Sequence, residues 1–245
     1  MKTSNKLVLA AVLLLVLSLL AFDYLIRSEY LSGSYKNPYK DFVTLKFKDF
    51  DKVDINSSTA ANVKFVQGPF SVMVDTNALE YVRIKQQGDR LQINAAFESN
   101  YLYNPHPYIV FIACPKLSEV NTNAIYTAGN KQAIDTILRE EWNMRQNLIE
   151  GFKEDSLSIR QTYGSSIIIS GNRIRVLNAA VGSDAGSESK ITILENNQLQ
   201  YATLDILNRS KFLLDGKSIQ NLKYHLADSA RLILTGAAQN ILKKQ

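Results

Sequence analysis

Ser165-Ser166-Ile167-Ile168-Ile169-Ser170-Gly171 aligns without gaps with three later segments. They are Ser189-Lys190-Ile191-Thr192-Ile193-Leu194-Glu195, Ser210-Lys211-Phe212-Leu213-Leu214-Asp215-Gly216 and Ala230-Arg231-Leu232-Ile233-Leu234-Thr235-Gly236. Their starts lie 24, 21 and 20 residues apart. Each opens on a small residue, alternates two apolar positions with outward ones, and usually closes on glycine. Alternation at period two is the signature of a strand with one buried face. Further strand-like runs fall between the repeats, at Ile174–Val176, Leu199–Ile206 and Leu222–Leu226. A period near 20 residues with several short strands predicts a right-handed parallel β-helix, a β-solenoid whose stacked coils bury one apolar column. The glycines would serve corners that need positive φ. Alternation within a β-sandwich is the competing reading of the same residues.

The rest of the body is also β-like. Val43, Leu45 and Phe47 alternate, as do Val63 and Phe65, Val72 and Val74, Val82 and Ile84, Leu91 and Ile93, and Ile109 and Phe111. Turn signals at Gln67-Gly68-Pro69, Gln87-Gly88-Asp89 and Asn104-Pro105-His106-Pro107 separate them. Residues 131–150 break the pattern. Ile134, Ile137, Leu138, Leu148 and Ile149 fit one face of a helix around Trp142, although Trp142, Met144 and Leu148 also fit a strand.

At the N-terminus, Lys2 and Lys6 precede an apolar run from Leu7 to Phe22, interrupted by Ser18. With Asp23 reaching toward the headgroups the run extends to Ile26, about 20 residues or ~30 Å of helix, enough to cross a bilayer. Signal-peptide cleavage after Ala21 would put the bulky Leu19 at the third-last position, so an uncleaved transmembrane anchor is expected. The two lysines place the N-terminus in the cytoplasm and the body in the periplasm or beyond, on an inner-membrane anchor. The expected layout is a stub and anchor over 1–27, a polar tether over 28–41 containing Gly33 and Pro38, and a β domain over 42–245.

Composition narrows the function classes. The chain has 245 residues, 46% of them apolar, which suits a folded domain. Net charge is +5; without residues 1–27 there are 25 basic and 22 acidic residues, too even a balance for a nucleic-acid binder. Cys114, the sole cysteine, cannot form an internal disulfide and reads as a buried apolar residue in a strand. Gly216-Lys217-Ser218 ends like a phosphate-binding loop, but Lys211 stands where that loop needs its first glycine, so no nucleotide is expected. His106 and His225, the only histidines, have no second ligand at metal-binding spacing. No metal or cofactor is expected.

Together, several strand patterns carry a family likeness: Phe50-Asp51-Lys52-Val53-Asp54-Ile55, Val63-Lys64-Phe65-Val66-Gln67-Gly68, Leu91-Gln92-Ile93, Ile109–Ile112 leading into Pro115-Lys116-Leu117, and the Ser-x-Ile-x-Ile repeats. Over about residues 50–240 the chain resembles the bacterial head GIN domain family, common in Bacteroidetes and carrying an auto-transporter adhesin label. The resemblance implies a β-helical envelope protein and brings no catalytic residues with it. The tether and the 131–150 insertion depart from its common core.

Parallel β-helices often act on polysaccharides, so a polysaccharide lyase or glycoside hydrolase is the alternative function. Glycoside hydrolysis needs paired carboxyl groups about 5–10 Å apart. The position before the repeat's final residue carries Ser170, Leu194, Asp215 and Thr235, only one of them acidic, and Asp205 and Asp228 occupy other parts of the repeat. No catalysis is expected. The outward positions are more informative. Stacked repeats would align Lys190, Lys211 and Arg231 beside a largely apolar row of Ile168, Leu213 and Ile233. An outward apolar stripe of that length calls for a cover. These residues form the candidate docking surface for an envelope glycan or a protein partner. Tyr101 and Tyr103 are a second candidate, as aromatic loop residues able to stack on sugars or to cap the apolar column.

Overall fold

The structure is a computed structural model that describes residues 2–33, 36–99, 106–136, 146–216 and 219–244, without the side chains of 241–244. It divides into two compact units, Met1–Phe42 and Val43–Gln245.

In the first unit, α1 (Thr3–Ser32) is long and apolar enough by length and composition to cross a membrane. It continues past Arg27 into the segment read as tether. Gly33 ends it in the left-handed conformation (φ 67°), where its N–H reaches the Tyr30 carbonyl at 3.2 Å. Just beyond, Lys40 pairs with Glu29 at 2.8 Å and the Tyr39 amide donates to Asn37 Oδ1 at 3.0 Å.

The second unit is two large mixed sheets. In spatial order the nine-stranded sheet holds β1 (Phe42–Leu45), β4 (Ser71–Asp75), β7 (Val110–Cys114), β3 (Val63–Gln67), β11 (Asn147–Glu150), β13 (Ser166–Ser170), β15 (Lys190–Ile193), β17 (Lys211–Asp215) and β19 (Arg231–Thr235). The ten-stranded sheet runs β10 (Lys131–Ile134), β9 (Ile125–Ala128), β6 (Arg90–Phe97), β2 (Lys52–Ile55), β8 (Glu119–Thr122), β12 (Lys153–Gln161), β14 (Arg173–Val181), β16 (Gln198–Ile206) and β18 (Ile219–Leu226), with β5 (Val82–Gln87) paired to β6.

This corrects the expected right-handed parallel β-helix. The pairs β4–β7, β5–β6 and β9–β10 are antiparallel, and the order β4-β7-β3-β11 does not follow the chain. The arrangement is sandwich-like. The repeats misled because a 20-residue spacing reports parallel neighbours within a sheet and nothing about how the remaining strands join it.

The helical reading of 131–150 is corrected too. Residues 131–134 and 147–150 are strands, with Ile149 fully buried and Leu148 half-buried on the opposite face, a period of two. Ile137, Leu138, Trp142 and Met144 lie outside the described residues.

One apolar core joins the inner faces. Ile167, Ile191 and Phe212 from the nine-stranded sheet and Leu157, Leu177 and Leu204 from the ten-stranded sheet are all buried in it. Each such side chain contributes about 1.5–3 kcal/mol on burial. The small residue that opens each repeat has a structural reason. Ser165, Ser189 and Ser210 are fully buried; the Ser189 amide donates to Ser210 Oγ at 2.9 Å, and Ser189 Oγ donates to the Tyr163 carbonyl at 2.6 Å. A similar pair sits at the other strand ends, where the Asn172 amide donates to Asn197 Oδ1 at 2.9 Å. Gly216 takes φ 64°, and a Cβ there would lie 2.4 Å from Glu195 Cβ. The 3₁₀ segment Gly236–Lys244 packs against β17, β18 and β19 and buries Ala238 completely.

Candidate functional site: the outer faces of the two sheets

Strand pairing sets the predicted rows side by side. Ser166 registers with Lys190, Lys190 with Lys211, and Lys211 with Arg231. Two residues on, Ile168, Thr192, Leu213 and Ile233 form the next row. All of these but the buried Ser166 and the exposed Arg231 are half-buried, while their strand neighbours Ile167, Ile191 and Phe212 are fully buried. The two rows therefore lie on the outer face of the nine-stranded sheet, at successive strands about 4.8 Å apart.

The charges in the first row are not equivalent. Lys211 Nζ pairs with Glu188 at 3.2 Å. Lys190 and Arg231 make no ion pair among the described residues. Lys211, Arg231 and Arg209 line a shallow depression of about 410 Å³ with Glu188 and Asp228.

The apolar row is longer than the repeats reveal. Leu148 registers with Ile168, and beyond it the row continues through Lys64, Phe111 and Met73. Lys64 is tied to Glu150 at 2.8 Å. Phe111 and Met73 belong to strands that enter the sheet out of chain order, so no local pattern could have joined them to the row. Tyr101 and Tyr103 lie outside the described residues.

The carboxylates behind the enzymatic alternative are distributed. Asp205 is on the ten-stranded sheet, 2.7 Å from His225 Nδ1. Asp215 is on the nine-stranded sheet, accepting from Thr235 Oγ1 at 2.6 Å. Asp228 lines the depression just described. Near residue 50, Asp54 pairs with Arg90, which also reaches Glu119 at 3.0 Å, and Asp51 pairs with Lys116 at 3.1 Å. His106 Nε2 stands 3.4 Å from the buried carboxylate of Asp75. Among the described residues no three His, Cys, Asp or Glu side chains gather as a metal site.

Cys114 is fully buried, and burial, with the nearby charges of Glu154 and Asp51, pushes its thiol up to about 12. The thiol stays protonated at neutral pH, and protonated thiols are poor nucleophiles. A maleimide should therefore label the native chain no faster than it unfolds, and label fully in denaturant; rapid native labelling would contradict the buried placement.

The ten-stranded sheet carries a larger groove, about 480 Å³, on its outer side at the starts of β12, β14, β16 and β18. Nothing in the linear sequence marked it, because its lining comes from four separate strands. One of its residues, Glu154, has its carboxyl raised above the usual range by burial, against the opposing hydrogen bond from the Leu117 amide at 3.0 Å.

No known family profile matches this chain. No curated protein matches it either. Several solved structures do. One from Bacteroides fragilis, described as a "putative adhesin", is 11% identical, with 79% of this chain and 96% of that one covered and a TM-score of 0.40. A second "putative adhesin", from Parabacteroides merdae, is 12% identical over 80% of this chain and 95% of that one, with a TM-score of 0.34. A "putative lipid binding protein" from Parabacteroides distasonis is 13% identical over 80% and 94%, with a TM-score of 0.33. This chain is thus similar, at low identity, to Bacteroidetes proteins described in terms of binding.

Proposed function

We propose that this chain is a non-catalytic binding module of the bacterial envelope, allied to the head GIN family and held in the inner membrane by α1, with its N-terminus cytoplasmic and its β unit outside. The apolar length of α1 and the lysines before it support the anchor and its orientation. The observation that carries the binding role is the registered pair of outward rows, cationic Lys190, Lys211 and Arg231 beside apolar Ile168, Leu213 and Ile233. A sheet holds these side chains at fixed spacing, so little order has to be imposed on docking. The surface fits an envelope protein that offers acidic residues flanking an apolar strip.

A photo-crosslinker at Leu213 in living cells tests this. The expected result is a discrete protein adduct that falls severalfold when Lys190, Lys211 and Arg231 are all changed to serine. An adduct indifferent to the triple change would sink the docking surface. Release of new sugar ends from a polysaccharide by the purified chain would restore the enzymatic alternative.

A further inference from the structure

The groove on the ten-stranded sheet has a composition that the docking rows do not share. Lys153, Arg173 and Gln198 stand level with one another in consecutive strands. The next exposed level holds Asp155, Arg175, Gln200 and Gln220, between the registered pairs on either side of them. The adjoining residue of β16, Tyr201, projects its ring into solvent at 52% exposure. In three of these strands two successive residues face outward here (Asp155 and Ser156, Gln200 and Tyr201, Gln220 and Asn221), so the strands turn a shared corner and the groove follows it.

The hydrogen bonds fix what the groove can offer. Arg175 grips Asp155 with Nε and a terminal nitrogen, the latter at 2.7 Å, so both charges are spent on each other. Arg173 donates Nε to Gln198 Oε1 at 3.0 Å. That contact uses Nε and leaves the terminal guanidinium nitrogens of Arg173 without a hydrogen bond or ion pair among the described residues. Lys153 makes no ion pair among the described residues. The unspent groups are therefore a cationic fork, an ammonium and a file of carboxamides, each a hydrogen-bond donor and the carboxamides of Gln200 and Gln220 acceptors as well, while the Glu154 carboxyl in the same lining is engaged by the Leu117 amide.

From this arrangement we infer that the groove is a binding site for a linear acidic polysaccharide, one built of uronate-type sugars. The groove crosses four strands, about 14 Å at the usual strand spacing. One strand step is close to the length that one pyranose ring adds to a chain, so successive sugars meet successive strands. Carboxamides bond paired ring hydroxyls, the Arg173 fork takes a carboxylate through two parallel bonds, and Tyr201 supplies a flat apolar face for a ring. A nucleotide polymer would want several aromatic platforms and a denser cationic lining. The site is independent of the proposed docking rows, which lie on the other sheet.

Full-length protein in detergent micelles, titrated calorimetrically with hexamers of galacturonate or mannuronate, tests the inference. The expected result is saturable binding that weakens about tenfold or more in Arg173→Ala and in Tyr201→Ala, and less in Arg173→Lys, which keeps the charge and loses the fork. Lys190→Ser, Lys211→Ser and Arg231→Ser together should leave it unchanged, which separates this site from the docking surface. Unaltered melting temperatures would show that the groove variants remain folded, as their exposed positions imply. Absence of binding at millimolar hexamer would overturn the inference. So would equal binding of polyacrylate, or loss of binding through the serine variants instead of the groove variants.

Discussion

Truncating Phe212 to alanine should cost about 3–5 kcal/mol of unfolding free energy, the range for deleting a large ring from a closed core. Phe212 is fully buried and registers between Ile191 and Leu232 on the inner face of the nine-stranded sheet. Its neighbours are held by strand pairing on both sides, so they cannot collapse far into the space it leaves. The adjacent residue gives the contrast. Leu213 points outward and is half-buried, so Leu213→Ala should cost about 1 kcal/mol or less. Urea unfolding of the full chain in micelles, followed by circular dichroism, reads both as shifts in midpoint at constant slope. Equal losses at the two positions would mean that the inner and outer faces are misassigned.

Gly182→Ala should be about as damaging, roughly 2–5 kcal/mol, from two terms that add. Gly182 sits at φ 78°, where a Cβ costs about 1–2 kcal/mol in backbone strain. That Cβ would also stand 2.0 Å from Ser210 Oγ and 2.7 Å from the Leu207 carbonyl oxygen, forcing an overpacking cost of about 1–3 kcal/mol. The serine hydroxyl could turn away only by giving up the Ser189 amide it accepts, and the Leu207 carbonyl is backbone and cannot move aside. Gly186 separates the terms. It shares φ 78° but has nothing within 4 Å of its virtual Cβ, so Gly186→Ala should show the strain alone. If both substitutions cost the same, the close approach of the Gly182 turn to Leu207 and Ser210 is wrong.

The docking reading and the groove reading divide the two outer faces between different partners. Their tests use different residues, so either can fail without the other. A chain that crosslinks through Leu213 and ignores uronates would be a protein-docking module alone. One that binds uronates without a crosslinked partner would be a glycan receptor anchored at the membrane.

The sequence by itself determined the local facts. Alternation at Ile167 and Ile169, Ile191 and Ile193, or Phe212 and Leu214 assigned each side chain to a face, because a strand's side chains switch faces at every residue. It placed Lys190, Lys211 and Arg231 together with Ile168, Leu213 and Ile233 on outward positions, since equivalent positions within the repeats became equal height in the sheet. It also marked Gly171, Gly216 and Gly236 as turn glycines, all three at positive φ. What it could not supply was strand partnership and direction. Period two is identical in parallel and antiparallel strands, so alternation did not reveal that β4–β7 and β5–β6 pair antiparallel, and the repeats extended a regular parallel stack over a chain that forms two mixed sheets. The helical reading of 131–150 failed for a related reason: sparse apolar residues fit a helix and a broken pair of strands equally well until Leu148 and Ile149 find Ile168 and Ile169 beside them. Sites assembled across strands belong to the same class. Phe111 and Met73 join the apolar row, and Arg173, Gln200 and Gln220 share one groove, only because backbone hydrogen bonds bring distant segments into register, a non-local choice that no window of sequence contains.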